Sequence, residues 1–145
     1  MTSLQSFAEL ARAASGLTVV STQRPDSSLQ ASVVNTGVLD GVLDDTPVVG
    51  FVTYGKVKLA NLRVNGLLAL TVRDGWHWAT VEGRATIIGP YDPHVDIDAE
   101  RLRLLLREVF AAAGGEHDDW DDYDRTMARE RRSVVLVAPS RVYGN

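Results

Sequence analysis

Two lysines, Lys56 and Lys58, stand two residues apart just after a glycine that ends an apolar run. In Thr53-Tyr54-Gly55-Lys56-Val57-Lys58-Leu59-Ala60-Asn61-Leu62, the β-rich stretch Val48–Thr53 breaks at Gly55 and a short helical turn follows through about Arg63. A glycine lets the backbone approach an anion closely, and a new helical turn offers unpaired N–H groups and the positive end of its dipole. The two ammonium groups add positive charge in a chain whose formal net charge is −4. Strand, glycine, lysine pair and turn together have the chemistry of a phosphate clamp, with Gly55 and Asn61 shaping the turn. The spacing leaves a solvated surface pair open as the alternative.

Three other groups invite chemistry. The strand Ala31–Thr36 is mostly apolar and ends in Asn35 and Thr36. Such a strand either presents backbone groups and an amide to a ring system or simply caps a barrel strand. Trp76 and Trp78, two apart on an expected strand, should share one face. Paired indoles there form either a flat wall for a conjugated ring or a packed interface. His77 between them points the other way. The acidic string around His117 (Asp118, Asp119, Asp121, Asp122 and Asp124) lacks the glycine and terminal Glu of a calcium loop. Helix capping is its expected role, and no metal site is expected. His94 has no partner at ligand spacing.

Composition excludes other chemistries. The chain has no cysteine, so disulfides, thiolate metal sites and cysteine nucleophiles are ruled out. A net negative charge argues against non-specific nucleic-acid binding. No segment reaches the roughly 20 apolar residues of a membrane-spanning helix, and a cytoplasmic location is expected. Neither a Gly-x-Ser-x-Gly elbow nor a Gly-x-Gly-x-x-Gly turn occurs, so hydrolase and Rossmann readings are weak. Sparse acid–base machinery is compatible with a redox protein whose cofactor does the difficult step.

The elements that must position these residues form one domain over residues 1–145. Leu4, Phe7, Leu10, Ala11 and Ala14 recur at helical spacing behind Ser3, and Gly16 ends that helix. Strands are expected at Leu17–Gln23, Leu29–Val38, Pro47–Thr53, Leu67–Val72, Trp76–Ile88 and Val134–Val137. Asp74-Gly75 is the strongest hairpin signal. Helices are expected at Ala99–Ala113, closed by Gly114-Gly115, and at Trp120–Arg131. Antiparallel strands with such helices give a mainly β, α+β protein: a small barrel with helical additions.

The runs "FVTYGKVKLANL", "DGWHWATVEGRA" and "GEHDDWDDYDRTMARERRSVVLVAPSRVYG" resemble the pyridoxamine-5'-phosphate-oxidase-like split-barrel family. Within it they are most similar to the actinobacterial branch that binds the deazaflavin coenzyme F-420. The similarity runs from about Ala8 to Gly144. The lysine segment resembles the family's Arg-x-Lys-x-Arg-Asn-Leu. Lys56 stands for the first arginine, Lys58 for the lysine, and Asn61-Leu62 are retained. Ala60 replaces the second basic residue, which puts one phosphate contact in doubt.

The resemblance implies an antiparallel FMN-binding-type split barrel. It also implies a homodimer with a cofactor site at each interface and a small-molecule substrate. The implied cofactor contacts are Val33, Val34, Asn35, Thr36, Thr53, Gly55, Lys56, Lys58, Asn61, Leu62, Trp76 and Trp78, with Arg141 and Tyr143 just beyond the last strand. F-420 is the cofactor most strongly implied, and Arg63 or Arg84 would serve its polyglutamate tail. FMN is the alternative. The implied activity is hydride transfer between the deazaflavin and a small conjugated substrate. A non-catalytic carrier of FMN, F-420 or haem and an FMN-dependent oxidase of pyridoxamine-phosphate type stand beside it.

Overall fold

The computed structural model describes residues 2–145. In chain order its elements are α1 (Leu4–Ala13), β1 (Leu17–Gln23), β2 (Leu29–Leu39), β3 (Val48–Thr53), α2 (Lys56–Val64), β4 (Leu67–Asp74), β5 (His77–Ile88), α3 (Ala99–Ala112), α4 (Trp120–Arg129) and β6 (Ser133–Gly144). All strand pairs are antiparallel, and the strands close a barrel in the order β1-β2-β3-β6-β5-β4. This is the split-barrel architecture expected from the sequence.

Two cores share the β3–β6 wall. Inside the barrel, Val49, Phe51, Val135 and Val137 meet Val20, Leu70, Val72 and Val81, and Phe7 of α1 plugs one end. On the outer face Val48, Val134 and Leu136 pack against Leu105, Leu106 and Val109 of α3 and Tyr123 of α4. A strand buried on both faces needs a continuous apolar run rather than an alternating one. That is why "VVGFV" and "VVLV" read as they do. Ser3 caps α1 with a capping box, as its position suggested.

The structure corrects two strand boundaries. The β4–β5 hairpin pairs Asp74 with His77, so its loop is Gly75 and Trp76 rather than the Arg73–Gly75 stretch left between the expected strands. Gly75, at φ 62°, supplies the positive φ that the first loop position needs. Register decides the matter, because Leu70 and Val72 must face inward opposite Val81 and Ala79, and a slip of one residue would turn them out. Strand β6 also runs on through Gly144, past Pro139, which lies at a register shift opposite Glu82 and Gly83. A bulge is where a strand tolerates a residue that cannot donate.

Candidate functional site: a cleft where the barrel splits

Strands β2 and β3 pair only from Thr36–Phe51 to Leu39–Val48. Ahead of Thr36, β2 pairs with β1 alone and its other edge is open. The Thr36 N–H donates to the Gly16 carbonyl at 2.9 Å, toward the β1 side. Alternation along the strand then turns the backbone N–H and C=O groups of Val33 and Asn35 toward the open edge. A cleft of about 540 Å³ lies against this edge. Its floor is Thr53, Tyr54, Gly55 and Lys58, and its far wall comes from α3 and α4.

At the foot of the cleft helix α2 begins without a side-chain cap. The first helical backbone bond is Leu59 N–H to the Gly55 carbonyl, which leaves the N–H groups of Lys56, Val57 and Lys58 without an acceptor among the described residues. Lys58 is only 7% exposed, yet its Nζ reaches nothing better than the Thr53 hydroxyl at 3.5 Å. Burial alone pushes its pKa below the ordinary lysine value, and no carboxylate opposes it. An unpaired buried ammonium beside an uncapped helix start is costly in isolation and favourable around an anion.

The two lysines do not act as a pair. Residues two apart on a helix lie about 200° apart around its axis, so Lys58 enters the cleft while Lys56 is exposed outside it. Of the residues implied by the resemblance, the structure brings Val33, Val34, Asn35, Thr53, Gly55 and Lys58 together around the cleft. Thr36 turns inward and shares a hydrogen bond of 2.7 Å with Thr18. Asn61 is buried, donating to the Thr22 hydroxyl at 3.1 Å, and Leu62 belongs to the barrel core. None of these three lines the cleft. Trp76 and Trp78 line a separate shallow groove with Leu17, Val19, Thr71 and Val33. Trp76 is a turn residue and 93% exposed, so the two indoles do not form the strand-borne pair that their spacing suggested.

Arg63 forms an ion pair with Asp92 at 2.5 Å, and Arg84 is exposed on β5; neither lines the cleft. Arg141 and Tyr143 lie within β6, and Tyr143 donates to the Glu82 carboxylate, away from the cleft.

Sequence reasoning missed the far wall. Phe110, His117, Tyr123, Thr126, Met127 and Arg132 all face the cleft. Helix α4 is held there by Asp124, which accepts from Arg103 at 2.7 Å and from Arg107 at 2.5 and 2.9 Å. The Tyr123 hydroxyl adds a bond to the Leu106 carbonyl at 2.9 Å. The Arg107 guanidinium, and then that of Arg103, holds the Asp124 carboxyl below its usual range. The Arg132 guanidinium stacks 4.0 Å from the Tyr54 ring centre while pairing with Glu130 at 2.9 Å. The one advance signal was the apolar spacing of Trp120, Tyr123 and Met127 on a helix otherwise rich in charge.

The fold recurs in solved structures. The fold is that of the FMN-binding split barrel. A conserved hypothetical protein of Mycobacterium tuberculosis superposes with a TM-score of 0.65 at 20% identity, over 94% of this chain and 82% of that one. An F-420 reductase superposes at 0.59 and 17% identity, covering 88% of each chain. A pyridoxamine 5'-phosphate oxidase-related, FMN-binding protein of Nostoc punctiforme matches at 0.62 and 15% identity, over 96% of this chain and 80% of that one. No family model matches the sequence. Among the described residues, no helix is long and apolar enough to cross a membrane, and no cluster of ligating side chains has the arrangement of a metal site.

Proposed function

We propose that the cleft binds the deazaflavin F-420 and that the protein is an oxidoreductase acting on a small conjugated substrate. The observation that carries this reading is Lys58, a buried ammonium without a counter-ion at an uncapped helix start. One phosphate would satisfy both the ammonium and the free N–H groups of α2. The open edge of β2 fits the imide side of a planar heterocycle, because Val33 and Asn35 offer backbone donors and acceptors in alternation. When bound, the cofactor supplies the hydride chemistry. The protein's part is to hold the phosphate, align the ring along β2 and exclude water with α3 and α4.

F-420 is preferred to FMN on two grounds: the resemblance of the lysine and tail segments, and Lys56. Lys56 lies outside the phosphate pocket at the same helix start, where it suits the further anionic groups of a polyglutamate tail. Fluorescence titration of F-420 and FMN side by side tests the preference. Tighter binding of F-420 supports it, and equal or tighter binding of FMN overturns it.

We also propose a homodimer. The outer faces of β1, β2 and β4 carry Leu17, Val19, Val33 and Leu67 exposed, and the groove beside them holds Trp76 and Trp78. Such a contiguous apolar face marks an interface. Val33 borders both this groove and the cleft, so a second copy seated here would bring its tryptophans to the cofactor's edge.

A further inference from the structure

The far wall of the cleft has a chemistry that the phosphate floor does not require. Phe110, His117 and Tyr123 form a cluster of rings: Phe110 and Tyr123 have centres 5.0 Å apart, and the His117 ring stands 5.7 Å from Tyr123 and 6.5 Å from Phe110. Trp120 backs the cluster, 6.0 Å from His117. Within it, His117 is fixed by the backbone. Its Nδ1 accepts the Asp119 N–H at 3.0 Å, and Asp119 is itself the N-cap of α4, accepting from the Asp122 N–H at 3.1 Å. An imidazole whose Nδ1 accepts carries its proton on Nε2 in the neutral form. That Nε2–H has no acceptor among the described residues. The neighbouring phenol is already engaged, because Tyr123 donates to the Leu106 carbonyl and burial pushes its pKa to about 12. Glu116 and Asp118 flank His117 on its outer side and disfavour an anion there.

We infer that this wall is a second ligand subsite, separate from the phosphate floor, taking a neutral planar carbonyl compound whose oxygen accepts a hydrogen bond from His117 Nε2. The inference deepens the proposed function by naming the substrate class, and it rests on the cleft being a ligand site. The rings supply apolar faces and edges, and the His117 Nε2–H among them reads the carbonyl.

The test uses 1-indanone and indane, a matched pair that differs by C=O against CH₂, titrated into the whole protein by NMR. Wild type should bind indanone about tenfold more tightly than indane, the worth of one net hydrogen bond. His117→Phe should keep indane affinity and lose the preference. Lys58→Met should leave both compounds unaffected while losing affinity for inorganic phosphate, so the subsite and the phosphate reading fail separately. The 15N resonance of His117 Nε2 should move with indanone and not with indane, a readout that survives even if His117→Phe folds poorly. Absence of binding, equal affinity for the pair in wild type, an unmoved Nε2 resonance, or full preference retained in a folded His117→Phe would each overturn the inference.

Discussion

A Cβ placed on Gly55 would stand 3.0 Å from the Lys58 Nζ atom, so the glycine makes room for the ammonium. The Gly55 backbone, at φ −67° and ψ 107°, is a conformation any residue adopts. Gly55→Ala should therefore fold normally, and a smaller unfolded ensemble could raise its stability by about 0.4–1 kcal/mol. Its phosphate affinity should fall several-fold as Lys58 is displaced. Calorimetric titration with inorganic phosphate beside a thermal melt checks both outcomes. Unchanged affinity would show that the ammonium does not need this place.

Helix α4 should loosen in acid. The Asp124 carboxyl is held below the ordinary carboxylate range by Arg107 and then Arg103. A depressed acid stabilises the fold above its unfolded pKa, and that contribution is lost as pH falls through the folded pKa. The far wall should thus hold firm above about pH 4 and release below it. Asp124→Asn should remove this acid step and cost at most about 1 kcal/mol at neutral pH, because the partner guanidiniums are open to solvent. Near-ultraviolet circular dichroism of Trp120 reports the step, and an unaltered acid profile in the variant would contradict the assignment.

The apolar outer face should mediate self-association. Sedimentation at micromolar concentration should give a dimer for wild type and a folded monomer for Val19→Lys, because Val19 lies at the centre of that face. The charge would be buried without a partner at a dimer interface. A wild-type monomer that binds cofactor at full affinity, or a Val19→Lys dimer of wild-type strength, would remove this face as the interface.

Much of the barrel was legible because local pattern and burial agree. Leu17–Gln23 alternates and emerged as expected, and the continuous run at Val48–Phe51 became the doubly buried β3. Lys58 stood out for its charge beside a glycine. Its difference from Lys56 did not, since only a full helix beginning at Lys56 turns the two apart. The far wall was hidden for another reason. His117 and Arg132 reach the cleft only because α3 packs on β2 and β3 and α4 is tied to α3 through Asp124, contacts that no local spacing encodes. Trp76 misled because Asp74-Gly75 is a strong turn pair, whereas barrel register moved the turn one residue on.

Lys58, and not Lys56, should be the lysine that holds the cofactor's phosphate. Titration of F-420 and FMN into wild type, Lys56→Met and Lys58→Met, each with a thermal melt, tests it most directly. Loss of a charge-assisted bond of about 1.5–3 kcal/mol should weaken Lys58→Met binding by roughly tenfold to a hundredfold. Removing an uncompensated buried charge should leave its melting temperature at or above that of wild type. Lys56→Met should keep the larger part of the affinity for FMN, which has a single phosphate. Wild-type affinity in Lys58→Met, or an equal loss of FMN binding in Lys56→Met, would contradict the account.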